Sequence, residues 1–316
     1  MGTAGPEPVV LASGGAEVTI DVAHGAEITH FLVLPLGIDL VAPGPRGERL
    51  PSGDPDLAFI DGYRGGWQEV FPNGGAPSTW DGVRFGQHDE VWRRAWTVEH
   101  ATESEAVLSV ETQLLPFRLR KELRLVGRAR LEVREEVRAT GDGPCRAMWG
   151  QHLAYGPPFL VAGTRLTLPD GVQVQPHPEA INPPRRLAAP DPGRYPILRG
   201  PAGDSLDLRD LPGPNSPSDI LYAGPFGDPA WYEVTRPDGV ALRVEWGART
   251  LPYLWLWYEL GATVGPPWYG TLHAIGLEPN SSWPTNGLPD AVANGSALRF
   301  EPGQTLDSWY TVEVHW

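Results

Sequence analysis

The fold of this chain is indicated by a short stretch of alternating sequence, FRLRKELRL, which spans residues 117–125. The apolar side chains of Phe117, Leu119, Leu123 and Leu125 share one face, and charged side chains occupy the other. A period of two is typical of a β-strand that buries one side, because successive side chains point to opposite faces of a sheet. The stretch therefore predicts a half-buried antiparallel strand.

The same alternation recurs along the whole chain. It is present at residues 18–22, 240–246 and 310–314, and Gly/Pro turns such as 141–144 and 237–239 separate the alternating segments. No segment combines a 3.6-residue apolar period with the capping residues of an amphipathic helix. We therefore expect an all-β protein, a large two-layer antiparallel β-sandwich.

The domain organisation follows from the same pattern. A length of 316 residues is compatible with two domains, but no linker or shift in composition divides the strand-like segments. The proline-dense region 176–217 is weakly patterned, and we expect it to form long loops on the sandwich. Residues 1–316 are accordingly predicted to be a single domain.

Composition and charge exclude several classes of function. The formal net charge of -14 disfavours nucleic acid and anionic membrane surfaces as partners, because both repel an acidic protein. Residues 1–6 have neither the basic nor the apolar region of a signal peptide, so we expect none, and no apolar run is long enough to span a bilayer. Cys145 is the only cysteine, so no intrachain disulfide forms. We expect a cytoplasmic protein that is a monomer or homodimer. The sequence contains no Gly-x-Ser-x-Gly elbow, no P-loop and no dinucleotide-binding fingerprint.

Two titratable residues lie in segments suited to a binding cleft. His152 lies within WGQHLAYG, residues 149–156, and Glu278 lies within GLEPNSSWP, residues 276–284. An imidazole and a carboxylate that converge on one pocket form an acid/base pair able to move protons near neutral pH. Each also has an ordinary alternative: a core histidine bonded to a carbonyl, or a carboxylate bonded to loop amides.

A third candidate is His88, which precedes Asp89 and Glu90, and whose ordinary alternative is an exposed polar turn. Neighbouring residues on a strand point to opposite faces, so these three do not readily converge on a metal ion, and we expect none. Tryptophans near the same segments suit the apolar faces of sugar rings, although most of the 13 are expected to be core residues. Trp257 is the candidate for a ring that faces a sugar.

Five segments, in order, resemble the aldose 1-epimerases of the galactose mutarotase-like superfamily over most of the chain. The resembling segments are GGWQEVFPNGG (65–75), GQHDEV (86–91) with Trp96, PFRL (116–119) with WGQH (149–152), SDILY (218–222), and GLEP (276–279). The resemblance implies one β-supersandwich domain and ring opening of a sugar without a cofactor.

The resemblance also implies roles for individual residues. His152 would be the general acid toward the ring oxygen, and Glu278 the general base on the anomeric hydroxyl. His88 would polarise the ring oxygen, and Asp219 would hold sugar hydroxyls. The family's Asn–Arg pair is not evident, so the substrate-binding candidates for it are Arg64 and Asn73.

The resulting hypothesis is a mutarotase that interconverts the anomers of a hexose. A hexose-6-phosphate epimerase is a close alternative, for which the arginines 64, 84, 93 and 94 would have to form a basic rim; they also suit an ordinary solvated surface. A non-catalytic carbohydrate-binding protein on the same fold is the alternative from another class.

Overall fold

The computed structural model describes residues 6–46, 54–181, 184–187, 192–266 and 268–316, and strands dominate this part of the chain. The strands of the first half are β1 (Val9–Ala12), β2 (Ala16–Asp21), β3 (Glu27–Val33), β4 (Ile38–Asp39), β5 (Trp67–Val70), β6 (Ser78–Trp80), β7 (Val83–Phe85), β8 (Thr97–Ala101), β9 (Glu105–Glu111), β10 (Phe117–Val126), β11 (Arg130–Ala139), β12 (Cys145–Ala147) and β13 (Gly150–Tyr155). Those of the second half are β14 (Arg165–Thr167), β15 (Gln173–Pro176), β16 (Gly193–Arg194), β17 (Ile197–Arg199), β18 (Ser205–Asp207), β19 (Asp219–Ala223), β20 (Ala230–Thr235), β21 (Ala241–Trp246), β22 (Tyr253–Leu260), β23 (His273–Asn280), β24 (Leu298–Phe300) and β25 (Thr305–His315).

Helices are few and short in the described residues. Helix α1 is Ala58–Gly62 and helix α2 is Leu288–Ala293, and the turns Pro55–Leu57 and Val91–Arg93 are 3₁₀-helical. None of the described helices has the length and apolar character needed to cross a membrane. The sequence prediction of an almost entirely β protein is confirmed.

Two large antiparallel sheets account for most of the strands. The first has the order β1-β2-β3-β5-β13-β23-β22-β19-β15-β16-β17-β18, with β4 beside β3, and the second has the order β14-β20-β21-β25-β11-β10-β9-β8. Apolar side chains from both sheets, among them Phe31, Leu153, Leu119 and Val312, pack in one continuous core. The predicted sandwich is therefore present, and the stretch 117–125 forms all of β10 except its last residue.

The region 176–217 differs from the prediction in part. Three short strands, β16, β17 and β18, extend the first sheet where loops were expected. They pair over only one to three residues each, and so the sequence has too little room to show alternation.

A buried charge cluster lies inside the sandwich. The Lys121 ammonium lies 3.0 Å from a Glu135 oxygen and also pairs with Glu69, and all three side chains are nearly inaccessible to solvent. Gln151 donates hydrogen bonds to both carboxylates, at 2.9 and 2.8 Å. Burial lowers the pKa of Lys121, but the charges of Glu135 and Glu69 outweigh it and raise that pKa overall. The cluster joins β10 and β11 of one sheet to β5 and β13 of the other.

Candidate functional site

The site is built on one cross-strand row of the first sheet. Gly150 pairs with Asn280 and Ala154 with Gly276, so the antiparallel register sets His152 opposite Glu278. Strand β22 continues the row with Trp255, which pairs with Glu278. Because paired residues in neighbouring strands point to the same face, these three side chains rise from the same side of the sheet.

The imidazole of His152 and the carboxylate of Glu278 are in direct proximity. His152 Nδ1 lies 3.0 Å from Glu278 Oε1, and both side chains are about 5 % exposed or less. The geometry of this contact is not that of a hydrogen bond. Neither ring nitrogen of His152 has a hydrogen-bond partner among the described residues. A buried imidazole with open nitrogens beside a carboxylate is suited to proton transfer with a bound molecule.

His88 is fixed as a neutral hydrogen-bond donor. The backbone N–H of Gly75 donates to His88 Nδ1 at 3.0 Å, so the hydrogen of the neutral ring sits on Nε2. Burial, with the neighbouring His152, lowers the pKa of His88 to about 3. The two imidazole centroids are 5.9 Å apart. Gly75 has φ of +81°, and a Cβ there would meet the carbonyl oxygen of Thr285 at 2.0 Å, so this turn requires glycine.

Aromatic rings surround His152. Trp257, Tyr63 and Phe59 approach its ring at centroid distances of 5.5, 5.8 and 5.9 Å. Phe59 belongs to α1 and Tyr63 follows directly after that helix, so this helix of five residues and its C-cap supply two of the three rings. Such walls exclude water and offer faces for the C–H groups of a ring-shaped ligand.

These side chains line a cavity of about 440 Å³. Its lining combines aromatic rings, imidazoles, hydroxyls and carboxylates, and includes Phe59, Tyr63, His88, His152, His177, Ser218, Trp255, Trp257, Glu259, Thr263, Trp268, Glu278, Thr285 and Asn286. Two carboxylates and no lysine or arginine are present among the described lining residues. The cavity is therefore suited to a small polar ligand that is not strongly anionic.

Solved structures resemble the fold of this chain over nearly its whole length. A protein from Klebsiella pneumoniae with the provisional name aldose 1-epimerase has a TM-score of 0.72 at 15% identity, covering 96% of this chain and 77% of that one. A protein from Escherichia coli K12 with the same provisional name has a TM-score of 0.67 at 16% identity, covering 98% and 99%. A galactose mutarotase-like protein from Lactobacillus casei has a TM-score of 0.68 at 16% identity, covering 98% and 100%.

This chain has the galactose mutarotase-like fold. No protein-family model matches the sequence, and no curated protein matches it by sequence. The likeness at these identities is one of fold, and it agrees with the family resemblance drawn from the five sequence segments.

On this fold, the predicted residues His88, His152, Trp257 and Glu278 all line the cavity. Asn73 does not. Its amide donates to the carbonyls of Ala76 and Gly86, and its oxygen accepts hydrogen bonds from Ser78 and Leu288. Every donor and both lone pairs are thereby used, so Asn73 secures the loops behind His88 and has no capacity left for a substrate.

Asp219 also lies away from the cavity. Its neighbours Ser218 and Ile220 line the cavity, so Asp219 points to the other face of β19. Its carboxylate accepts the backbone N–H groups of Arg186 and Leu187, each at 3.2 Å. It therefore anchors this backbone segment, and the predicted contact with sugar hydroxyls does not fit its orientation.

The four arginines considered for a phosphate rim do not line the cavity either. Arg64 binds Asp21 at 2.9 Å and Glu27 at 3.2 Å, which leaves its predicted substrate contact without support. Arg84 pairs with Asp56, and Arg93 pairs with Asp89.

The segment His88-Asp89-Glu90 follows β7 and does not form the strand considered in the sequence analysis: His88 lies in a turn, and the three side chains bind different partners. Asp89 caps the Gly86 amide, and Glu90 accepts the amides of Gln113 and Leu114. Among the described residues, no group of three or more candidate ligands is placed to hold a metal ion.

Among the histidines and carboxylates of the cavity, sequence reasoning missed Glu259 and His177. Glu259 accepts a hydrogen bond from Ser218 at 2.7 Å, and it belongs to a strand whose tryptophans drew attention away from it. His177 follows β15 in the proline-dense region interpreted as loops. A sequence signal exists for Glu259, which lies two residues after Trp257 and therefore shares its face of β22.

Proposed function

We propose that this protein is an aldose 1-epimerase that interconverts the anomers of an uncharged sugar. The observation that carries the proposal is the pairing of His152 with Glu278 at 3.0 Å inside a cavity walled by aromatic rings. The fold neighbours that bear the name aldose 1-epimerase support the same reaction class.

The reaction needs one proton removed and one delivered. The Glu278 carboxylate takes the proton of the anomeric hydroxyl while the protonated His152 gives its proton to the ring oxygen, and the bond between the anomeric carbon and ring oxygen breaks. The open-chain aldehyde rotates about its C1–C2 bond. When the ring closes on the other face of the carbonyl, Glu278 gives its proton to the carbonyl oxygen and His152 recovers its proton from the attacking hydroxyl. Both residues return to their starting state, so no redox partner is needed.

His88 supports this step as a positioning donor. Because its Nδ1 is occupied by the Gly75 amide, its Nε2–H is available to a sugar oxygen without a change of charge. A neutral imidazole beside His152 also avoids the repulsion that a second imidazolium would impose.

The decisive experiment is anomer exchange followed by NMR for the wild type and Glu278→Gln. The amide preserves the shape of the side chain but cannot accept a proton, so we expect kcat to fall by about 10²–10⁴-fold with binding largely retained. His152→Asn should cause a loss of similar size, because protonation of the ring oxygen is lost.

A matched control is Glu301→Gln, an exposed carboxylate paired with Arg299 at the surface. It should exchange anomers at the wild-type rate. Wild-type exchange by Glu278→Gln would overturn the assignment of the base. A wild type that binds a sugar tightly but exchanges none would establish a carbohydrate-binding protein instead.

A further inference from the structure

A third imidazole lies at the far end of the cavity from the proposed acid/base pair. His152 is on β13, whereas His177 follows β15, four strand positions along the same sheet. The backbone N–H of His177 donates to the carbonyl of Ile220 at 3.0 Å, which holds this residue against β19. Its side chain lines the cavity, and the residue is only 8% exposed.

A tyrosine fixes the ring of His177. His177 Nδ1 lies 2.7 Å from the Tyr222 hydroxyl, and that hydroxyl also accepts the backbone N–H of Thr285 at 2.9 Å. The phenolic proton has two acceptors within reach, and the Thr285 hydroxyl is farther away, at 3.2 Å. We assign the phenolic proton of Tyr222 to the shorter contact, so that the hydroxyl donates to His177 Nδ1. The hydrogen of the neutral imidazole then sits on Nε2.

The surroundings keep this ring neutral. Burial and the charge of Arg185 lower the pKa of His177. The arrangement parallels that of His88, whose Nδ1 is likewise occupied by a donor from the protein. Two uncharged imidazoles thus line one cavity, each with Nδ1 filled.

We propose that His177 is a substrate-holding residue whose Nε2–H donates to a sugar hydroxyl remote from the anomeric carbon, and that Tyr222 positions it. The inference rests on the proposed function for the identity of the ligand as a sugar. It assigns His177 to substrate selection and not to proton transfer, because the strand order separates it from the reacting end of the cavity.

Steady-state anomer exchange and sugar binding by titration calorimetry test the assignment. His177→Phe keeps a planar ring and removes the donor, and we expect KM and Kd to rise about three- to tenfold, as for one lost hydrogen bond. The value of kcat should change by less than about twofold, because no interaction specific to the transition state is removed. Tyr222→Phe should raise KM in the same direction by a smaller factor.

Monodeoxy sugars identify the hydroxyl concerned. For the sugar that lacks it, His177→Phe should cost no further affinity, whereas the other monodeoxy sugars should show the full loss. Long-range ¹H–¹⁵N spectra of the histidine rings should show His177 protonated at Nε2 in the wild type. The exposed His30→Gln serves as a control and should leave all constants unchanged.

Unchanged KM and Kd in His177→Phe, or a fall in kcat alone, would overturn the assignment. Thermal unfolding of the same variants excludes a loss caused by misfolding. If the wild type bound sugars without exchanging them, the proposed function would fail, yet the predicted loss of binding in His177→Phe would still be measurable.

Discussion

At the scale of single residues, the neutral state of His88 makes a prediction about acid stability. Its pKa is lowered to about 3 in the fold, against an ordinary value of 6.5, so below pH 6.5 the unfolded chain takes up a proton that the folded protein does not. The free energy of unfolding therefore falls as pH drops from 6.5 toward 3. Between pH 7 and pH 4 this contribution amounts to about 3 kcal/mol.

His88→Asn should remove that contribution. The asparagine oxygen can still accept the Gly75 amide, but the side chain does not titrate. We expect urea unfolding to show a smaller loss of stability between pH 7 and pH 4 for the variant than for wild type. Equal losses in both proteins would mean that His88 is protonated in the folded state.

The residue scale also shows where sequence reasoning succeeds and where it stops. His152 and Glu278 stood out because each is a titratable group in an apolar setting, and their proximity was within reach of that argument. The orientation of Asp219 was not predictable in this way, because a shift of one residue along the strand moves a side chain to the opposite face of the sheet. The saturation of Asn73 was not predictable either, since its last hydrogen bond comes from the backbone N–H of Leu288, 215 residues away in sequence.

At the scale of elements, strand β23 holds the carboxylate of Glu278 over a glycine. A Cβ on Gly276 would meet Glu278 Oε1 at 2.3 Å, so Gly276→Ala must displace the carboxylate. A shift of about 1 Å in a catalytic group costs on the order of 10²-fold in rate. We expect kcat for anomer exchange to fall by that order while the far-ultraviolet circular dichroism stays that of wild type.

Gly143→Ala is the matched control, because a Cβ there meets nothing within 4 Å. It should retain wild-type exchange. If Gly276→Ala were equally active, the position of the Glu278 carboxylate would not limit the reaction.

A second prediction at this scale concerns the buried charge cluster that joins strands of the two sheets. Lys121→Met removes the cation and leaves the carboxylates of Glu69 and Glu135 buried together. Breaking one partner of a buried ion pair costs about 3–5 kcal/mol. Chemical denaturation should show a loss of this size, and Glu69→Gln with Glu135→Gln added to Lys121→Met should recover much of it.

At the scale of the whole molecule, the charge of the cavity predicts which sugars are accepted. Glu259 and Glu278 line it without a lysine or arginine among the described lining residues, and the protein carries a net charge of -14. A sugar phosphate would bring further negative charge into this setting. We expect kcat/KM for a hexose 6-phosphate to be about tenfold or more below that for the free hexose.

Exchange rates measured by NMR for each sugar and its 6-phosphate at equal ionic strength check this expectation. Added salt should narrow the difference, because it screens the repulsion. A preference for the phosphate would return the hexose-6-phosphate alternative to first place.

The architecture as a whole was largely predictable, because alternation survives wherever a strand has one buried face. The segments at 18–22, 117–125, 240–246 and 310–314 all coincide with strands of the two large sheets. The three short strands within 176–217 were not predictable, since pairing over a few residues leaves no period to detect. Strand order is set by tertiary packing and lies outside any local pattern.

The burial of Lys121 also controls the chemical reactivity of its amine. It is the only lysine in the chain, so every other basic side chain besides histidine is arginine. An amine-acylating reagent therefore meets no side-chain amine while the sandwich is closed, and Lys121 becomes reactive only when the two sheets separate. The rate of acylation at this one position would time the opening of the core directly, without an engineered probe.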